Sequence, residues 1–152
     1  MDKLDKQLLA ALQANADQTS EQLAGEIALS PSAIQRRIRR MKDDGVIERV
    51  IAVANPKSLG PLTLFVVGIQ IERERPELLA LLRRWLRDEP QVQQAFYVTG
   101  DADFILIVAA PDMECFEQLM SRLMAENTNV RRFTTNVALS LVKRGLELPL
   151  SY

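Results

Sequence analysis

The sequence predicts an α+β fold in two parts, three short helices followed by a β-α-β-β-α-β array, and three observations predict it. Apolar residues recur at helical spacing in three segments before residue 45. Strand-like and helix-like segments alternate regularly after residue 61. Between them, Asn55-Pro56-Lys57-Ser58-Leu59-Gly60-Pro61 is the stretch densest in Pro and Gly, so a boundary is expected there. The expected parts are residues 1–53, a hinge over 54–61, and residues 62–152.

The first helix is predicted over 2–14, with Asp2 as its cap and Leu4, Leu8, Ala11 and Leu12 as its apolar stripe. Asn15-Ala16-Asp17 breaks it. Thr19-Ser20-Glu21-Gln22 is a capping box that opens a second short helix, with Leu23, Ala24 and Ile27 inward. After Ala28-Leu29, Ser30 is a good N-cap and Pro31 suits the first helical position, where no N–H is needed. Ile34, Ile38 and Met41 recur at i, i+4, i+7 and give this third helix a buried seam; Gly45 stands where a stop is expected. Gln35, Arg36 and Arg39 fall largely on the other side.

Arg36, Arg37, Arg39, Arg40 and Lys42 all fall between residues 36 and 42, with no acid among them. Two helices joined by a short turn, the second basic, form a helix-turn-helix, and such a helix fits a DNA major groove. A solvated basic face on an ordinary surface helix would look the same from this segment alone. Val46-Ile47-Glu48-Arg49-Val50-Ile51-Ala52-Val53 is β-branched and reads as a strand or small wing.

In the second part, residues 62–71 read as a strand. Residues 76–88 read as a helix that begins on Pro76 and stops before Pro90, with Leu78, Leu79, Leu82, Trp85 and Leu86 inward. Residues 91–98 and 103–109 read as a strand pair around Thr99-Gly100-Asp101-Ala102. Residues 113–125 read as a helix capped by Asp112, Asn129 as a left-handed residue in the following connection, and 133–143 as the last strand. This order is the ferredoxin-like pattern, in which both helices cover one face of a four-stranded antiparallel sheet. The strands are apolar on both faces: Phe65, Val67, Ile69 and Ile71 alternate with Leu64, Val66 and Gly68, and Phe104, Leu106 and Val108 with Ile105, Ile107 and Ala109. Two helices cover one face only, so the other predicts self-association.

The bulk numbers exclude several function classes. The chain has no histidine, which removes His-based acid–base work, Ser-His and Cys-His nucleophile pairs and His-containing metal sites. Cys115 is the single cysteine, so no intramolecular disulfide forms. No apolar run approaches membrane-spanning length, and the N-terminus lacks a signal-peptide core, so a cytoplasmic location is expected. With a formal net charge of −1, any DNA affinity must come from a local patch, and the basic run is such a patch.

At this point the motifs resemble those of the Lrp/AsnC family, the leucine-responsive or feast/famine transcription regulators. Leu4-Asp5, Leu23-Ala24, Leu29-Ser30-Pro31-Ser32, Arg36-Arg37-Ile38-Arg39-Arg40-Met41 and Gly45-Val46-Ile47 are similar to its winged helix-turn-helix signature. Asn55-Pro56 and Leu59-Gly60 are similar to its hinge, and Val98-Thr99-Gly100-Asp101-Ala102-Asp103-Phe104 and Pro111-Asp112-Met113 to its effector, or RAM, domain. The chain departs from the pattern at Ala28, where the family often has glycine; a left-handed alanine there would cost on the order of 1–2 kcal/mol. It departs also at Thr128-Asn129, where Pro-Gly is common, and Thr134-Thr135-Asn136 matches loosely.

The resemblance implies a sequence-specific transcription regulator on a palindromic operator of double-stranded DNA, nucleoid-associated, forming homodimers and in many members octamers. It implies a small-molecule effector, an amino acid or a related compound, with no cofactor, no metal and no catalytic residues. The DNA-contacting residues expected are Ser30, Ser32, Gln35, Arg36, Arg37, Arg39, Arg40 and Lys42; Arg37, whose phase lies between the two faces, has the alternative of bracing the domain internally. Read from the residues alone, the Gly100 loop is either a hairpin turn with solvated aspartates or a site whose amides and carboxylates suit a zwitterion. The resemblance favours the second and assigns the effector to Tyr97, Val98, Gly100, Asp101, Asp103, Thr134, Thr135 and Asn136. The alternative is an enzyme like the tetrapyrrole (siroheme-type) decarboxylases of the same fold, which rely on histidine; this chain has none. A ligand-binding or assembly module without DNA function is the third reading, and the exposed Gln35, Arg36 and Arg39 argue against it.

Overall fold

The predicted caps set the first three helices. In the computed structural model, which describes residues 1–150, α1 spans Lys3–Ala14, α2 Ser20–Glu26 and α3 Pro31–Asp43. Asp2 and Asp5 form a capping box on α1, and Thr19 and Gln22 another on α2, so each helix start has two of its N–H groups satisfied. Ser30 Oγ accepts the Ala33 N–H at 3.3 Å, with Pro31 in the first turn. Gly45 turns the chain out of α3 with φ +71°, a conformation that only glycine adopts without strain. Leu8, Leu23, Ile27, Ile34 and Met41 form the core of this unit.

Two expectations for this part are corrected. Among the described residues only glycines have positive φ, so Ala28 carries no left-handed strain; the chain leaves α2 through an extended Ile27. The run Val46–Val53 forms no strand. Val46, Val50, Ile51 and Val53 are exposed, and Ile47 packs on the helical core with its N–H on the Met41 carbonyl. β-branched residues favour a strand only where a neighbouring strand pairs with them, and this segment has none.

The second unit contains β1 (Thr63–Ile71), α4 (Pro76–Asp88), β2 (Val92–Tyr97), β3 (Phe104–Ala110), α5 (Met113–Glu126) and β4 (Val130–Val137). The sheet order is β2-β3-β1-β4 with antiparallel pairing throughout, the ferredoxin-like arrangement. Phe65, Val67, Ile69, Phe104, Leu106 and Val108 pack beneath Leu82 and Leu86 of α4 and Phe116, Leu119 and Leu123 of α5. The rings of Phe65 and Phe116 stack at 4.0 Å.

The last strand begins and ends earlier than the 133–143 predicted. Asn129 is not left-handed; its side-chain amide exchanges two hydrogen bonds with the Arg73 backbone, at 2.9 and 3.0 Å. That clamp brings Val130 opposite Ile71, and a bulge at Gln70/Ile71 absorbs Arg131. At the other end the pairing stops one residue from the start of β1, with the Ala138 N–H on the Leu64 carbonyl.

The described chain divides into two compact units, Met1–Val53 together with residues 143–150, and Ala54–Val142. In the first, Gln13 exchanges two hydrogen bonds with the Leu148 backbone. Residues 151 and 152, the expected end of the second part, lie outside the described residues. No helix among the described residues is long and apolar enough to cross a membrane.

Candidate functional site

In the first unit the candidate surface is the outer face of α3. Ile34 and Met41 are buried and Ile38 packs against them, which fixes the helix about its axis. Gln35, Arg36, Arg39 and Lys42 are then exposed, and no hydrogen bond or ion pair among the described residues uses their side chains. Ser30 and Ser32 are also exposed, their hydroxyls 3.2 Å apart at the helix start.

Arg37 and Arg40, grouped with these by sequence, are engaged elsewhere. Arg37 Nη1 donates to Asp2 Oδ2 at 2.7 Å and to Asp5 Oδ1 at 2.6 Å, with its side chain only 20% exposed. Arg40 Nη2 donates to both Asp5 oxygens, at 2.9 and 2.7 Å. Asp5 also accepts the Asp2 N–H and is 1% exposed. That backbone bond, with the Arg37 hydrogen bond and the Arg40 charge, holds the Asp5 carboxyl below the usual carboxylate range against the effect of burial. The Arg37 guanidinium does the same for Asp2. Arg37 therefore takes the bracing alternative. Arg40 is a correction: the acid that claims it, Asp5, lies at the start of α1, remote in sequence.

In the second unit the candidate ligand site is a shallow hollow on the sheet face that no helix covers. A cavity of about 440 Å³ is lined by Val66, Gly68, Val98, Thr99, Asp101, Ala102, Ile105, Thr134 and Asn136. A second of about 380 Å³ shares Gly68, Asp101, Ala102 and Thr134 with it and adds Gln70, Arg132 and Phe133. Gly68 makes the floor. It sits in mid-strand, where glycine is a poor choice, and a Cβ there would stand 2.9 Å from Thr134 Oγ1. Gln70 bridges the rim, accepting from Arg132 Nε at 2.7 Å and donating to the Asp101 carbonyl. The Asp101 side chain is exposed, and no described hydrogen bond uses its carboxylate.

The expected effector residues divide between this hollow and other positions. Val98, Asp101, Thr134 and Asn136 line it. Gly100 shapes the loop with φ +124° and open space where a Cβ would be, so its requirement is conformational. Gly100→Ala is expected to cost about 1–3 kcal/mol, read as a lower denaturant midpoint; an unchanged midpoint would remove this role. Asp103 is a structural acceptor instead, its Oδ2 taking the Ile71 N–H at 2.8 Å. Tyr97 and Thr135 are corrections of face. Tyr97 pairs with Phe104 and Thr135 with Val67, both of which point toward the helices. Tyr97 packs on the Phe104 ring at 4.9 Å, lies under Arg83 and donates to Glu74. Partial burial and the Glu74 charge raise its pKa. Gly68, Ala102, Ile105 and Arg132 escaped the sequence reading; a glycine within an otherwise apolar strand was the available signal.

Comparison with known proteins finds two family matches along the chain. Residues 1–48 match a winged helix-turn-helix DNA-binding domain, and residues 64–148 match the Lrp/AsnC ligand binding domain. An uncharacterised HTH-type transcriptional regulator of Sinorhizobium fredii is 40% identical over 150 residues, covering 99% of this chain and 89% of that one. The crystal structure of an AsnC family transcriptional regulator from Agrobacterium tumefaciens superposes with a TM-score of 0.90 at 29% identity, covering 99% of this chain and 97% of that one. A Neisseria meningitidis transcriptional regulator in complex with L-Met gives 0.88 at 26% identity, with the same two coverages.

Proposed function

This chain belongs to the Lrp/AsnC family of DNA-binding transcription regulators, and from that premise we propose that it reads a palindromic operator with α3, self-associates through the open face of its sheet, and responds to an amino acid held at the Asp101 loop. The observation that carries the reading is the row Gln35, Arg36, Arg39 and Lys42, held outward by a buried seam and left without described partners. Arg36 and Arg39 suit bidentate contacts to guanine, Gln35 suits adenine, and Lys42 suits a phosphate. A two-fold pair of chains supplies two such helices. A nuclease footprint on DNA upstream of its own gene is expected to show paired half-sites separated by about one helical turn or a multiple of it. Protection without dyad symmetry would contradict the palindrome. The relatives are named as transcription regulators, and the chain is a regulator rather than an enzyme; the decarboxylase alternative finds no support among them.

An α-amino acid fits the hollow by its chemistry. Asp101 offers a carboxylate for the ammonium, Arg132 and Thr134 offer donors for the carboxylate, and Val66, Gly68, Ala102 and Ile105 offer an apolar floor for a side chain. The L-Met held by the Neisseria relative supports this class. In a thermal-shift panel of the twenty amino acids, at least one is expected to stabilise the wild type. Asp101→Ala is expected to weaken that ligand roughly 10–100-fold, the worth of a hydrogen bond to a charged group. Equal stabilisation of both proteins would exclude the loop as the effector site. A ligand that favours one assembly would shift the oligomer distribution by its differential affinity.

A further inference from the structure

We propose that Asp5, together with Asp2, keeps Arg37 and Arg40 from DNA phosphates, so that Asp5 sets the margin between operator and nonspecific binding without touching DNA. The inference rests on the reading that α3 faces DNA. The run of five cations gives the impression of a strongly electrostatic helix. The structure divides it. Arg36, Arg39 and Lys42 point outward, whereas Arg37 and Arg40 enclose one buried carboxylate. The two acids and two arginines of this node sum to zero charge.

The restraint matters because of where the arginines stand. Arg40 lies one helical turn beyond Arg36, on adjoining parts of the same surface, and its side chain is still 53% exposed. Released, it would reach the backbone that Arg36 approaches. Phosphate contacts carry no sequence information and strengthen binding to every duplex alike. The node also fixes α3 against α1: Asp5 is bonded at once to the Asp2 N–H, to Arg37 and to Arg40. One carboxylate thus holds the reading helix in place and lowers its indiscriminate attraction.

The test is a salt titration of binding to operator and to a shuffled duplex of equal length, using the full chain. Asp5→Asn leaves the node with one uncompensated positive charge. The slope of log K against log salt should steepen by about 0.9 per chain, and affinity for the shuffled duplex should rise about fivefold at 0.15 M salt. The operator-to-shuffled ratio should fall. Asp2→Asn, at a half-exposed position that does not threaten folding, should act in the same direction. Asp17→Asn changes the net charge equally at an exposed site away from the node and should leave the slope alone. Arg40→Gln added to Asp5→Asn should restore the wild-type slope. A folded Asp5→Asn or Asp2→Asn protein with unchanged or shallower slope would overturn the proposal, as would a steepening by Asp17→Asn of the same size. If the wild type itself fails to discriminate operator from shuffled duplex, it is the placement of α3 on DNA that fails instead.

Discussion

Replacing Arg36 and Arg39 together by alanine is expected to lower operator affinity by roughly 30- to 10⁴-fold while leaving the fold intact. Each bidentate arginine–guanine contact discriminates by about 1–3 kcal/mol, and a tenfold change in affinity corresponds to about 1.4 kcal/mol. The fold should survive because neither side chain has a described partner and both are exposed. Alanine is also at least as good a helix former as arginine. The buried seam of Ile34 and Met41 and the Ser30 cap, which hold α3, are untouched. Circular dichroism and thermal melting should match the wild type, and anisotropy on operator DNA should not. A double variant that binds the operator like the wild type would move the reading surface off this helix.

Ile107→Asp is expected to convert the self-associated protein to monomer. Ile107 pairs with Val66 on the open sheet face, beside Ile105, Ala109 and Leu64. Phe96, opposite Ile105, is 50% exposed on that face. Such a contiguous apolar surface is rare on an isolated protein and calls for a partner. A second copy fits it, because apolar meets apolar across a two-fold axis and the same act pairs two α3 helices. In the separate chain Ile107 is part-buried on the face that no helix covers, where a carboxylate can turn to water, so the variant is expected to fold. At a two-fold interface the charge enters twice. At about 2 kcal/mol or more for each disrupted anchor, dissociation strengthens by roughly three orders of magnitude. Sedimentation should show wild-type dimers or larger assemblies at micromolar concentration and a monomeric variant. A monodisperse wild-type monomer would refute the interface. Ile107 does not line the hollow, so the loss should not be mistaken for loss of a ligand.

What the sequence made legible was local. Thr19 with Gln22, Ser30 with Pro31, and Gly45 each solve a hydrogen-bonding or conformational problem within a few residues, and the structure uses each as expected. The alternation at Phe104–Ala110 likewise placed both faces of β3 correctly. What escaped depends on distant partners. Nothing near Arg40 announces that Asp5 will claim it. The face of Thr135 follows from the β1–β4 register, which the clamp between Asn129 and Arg73 and the bulge at Gln70/Ile71 help to determine, and that of Tyr97 from the β2–β3 register, which shifts between Val92 and Gln94. Val46–Val53 has the composition of a strand but no neighbour to pair with. Gly68 is a floor only because Thr134 and Ala102 converge on it from other segments.

Fluorescence anisotropy of the wild-type chain decides whether α3 reads a particular DNA sequence. The probes are short duplexes tiled across the DNA upstream of its own gene, each against a shuffled duplex of the same composition, at fixed salt near 0.15 M. At least one tile is expected to bind about 10³-fold or more tightly than its shuffled partner, the margin of a specific DNA-binding protein. Equal binding to every tile and its shuffled partner would contradict it.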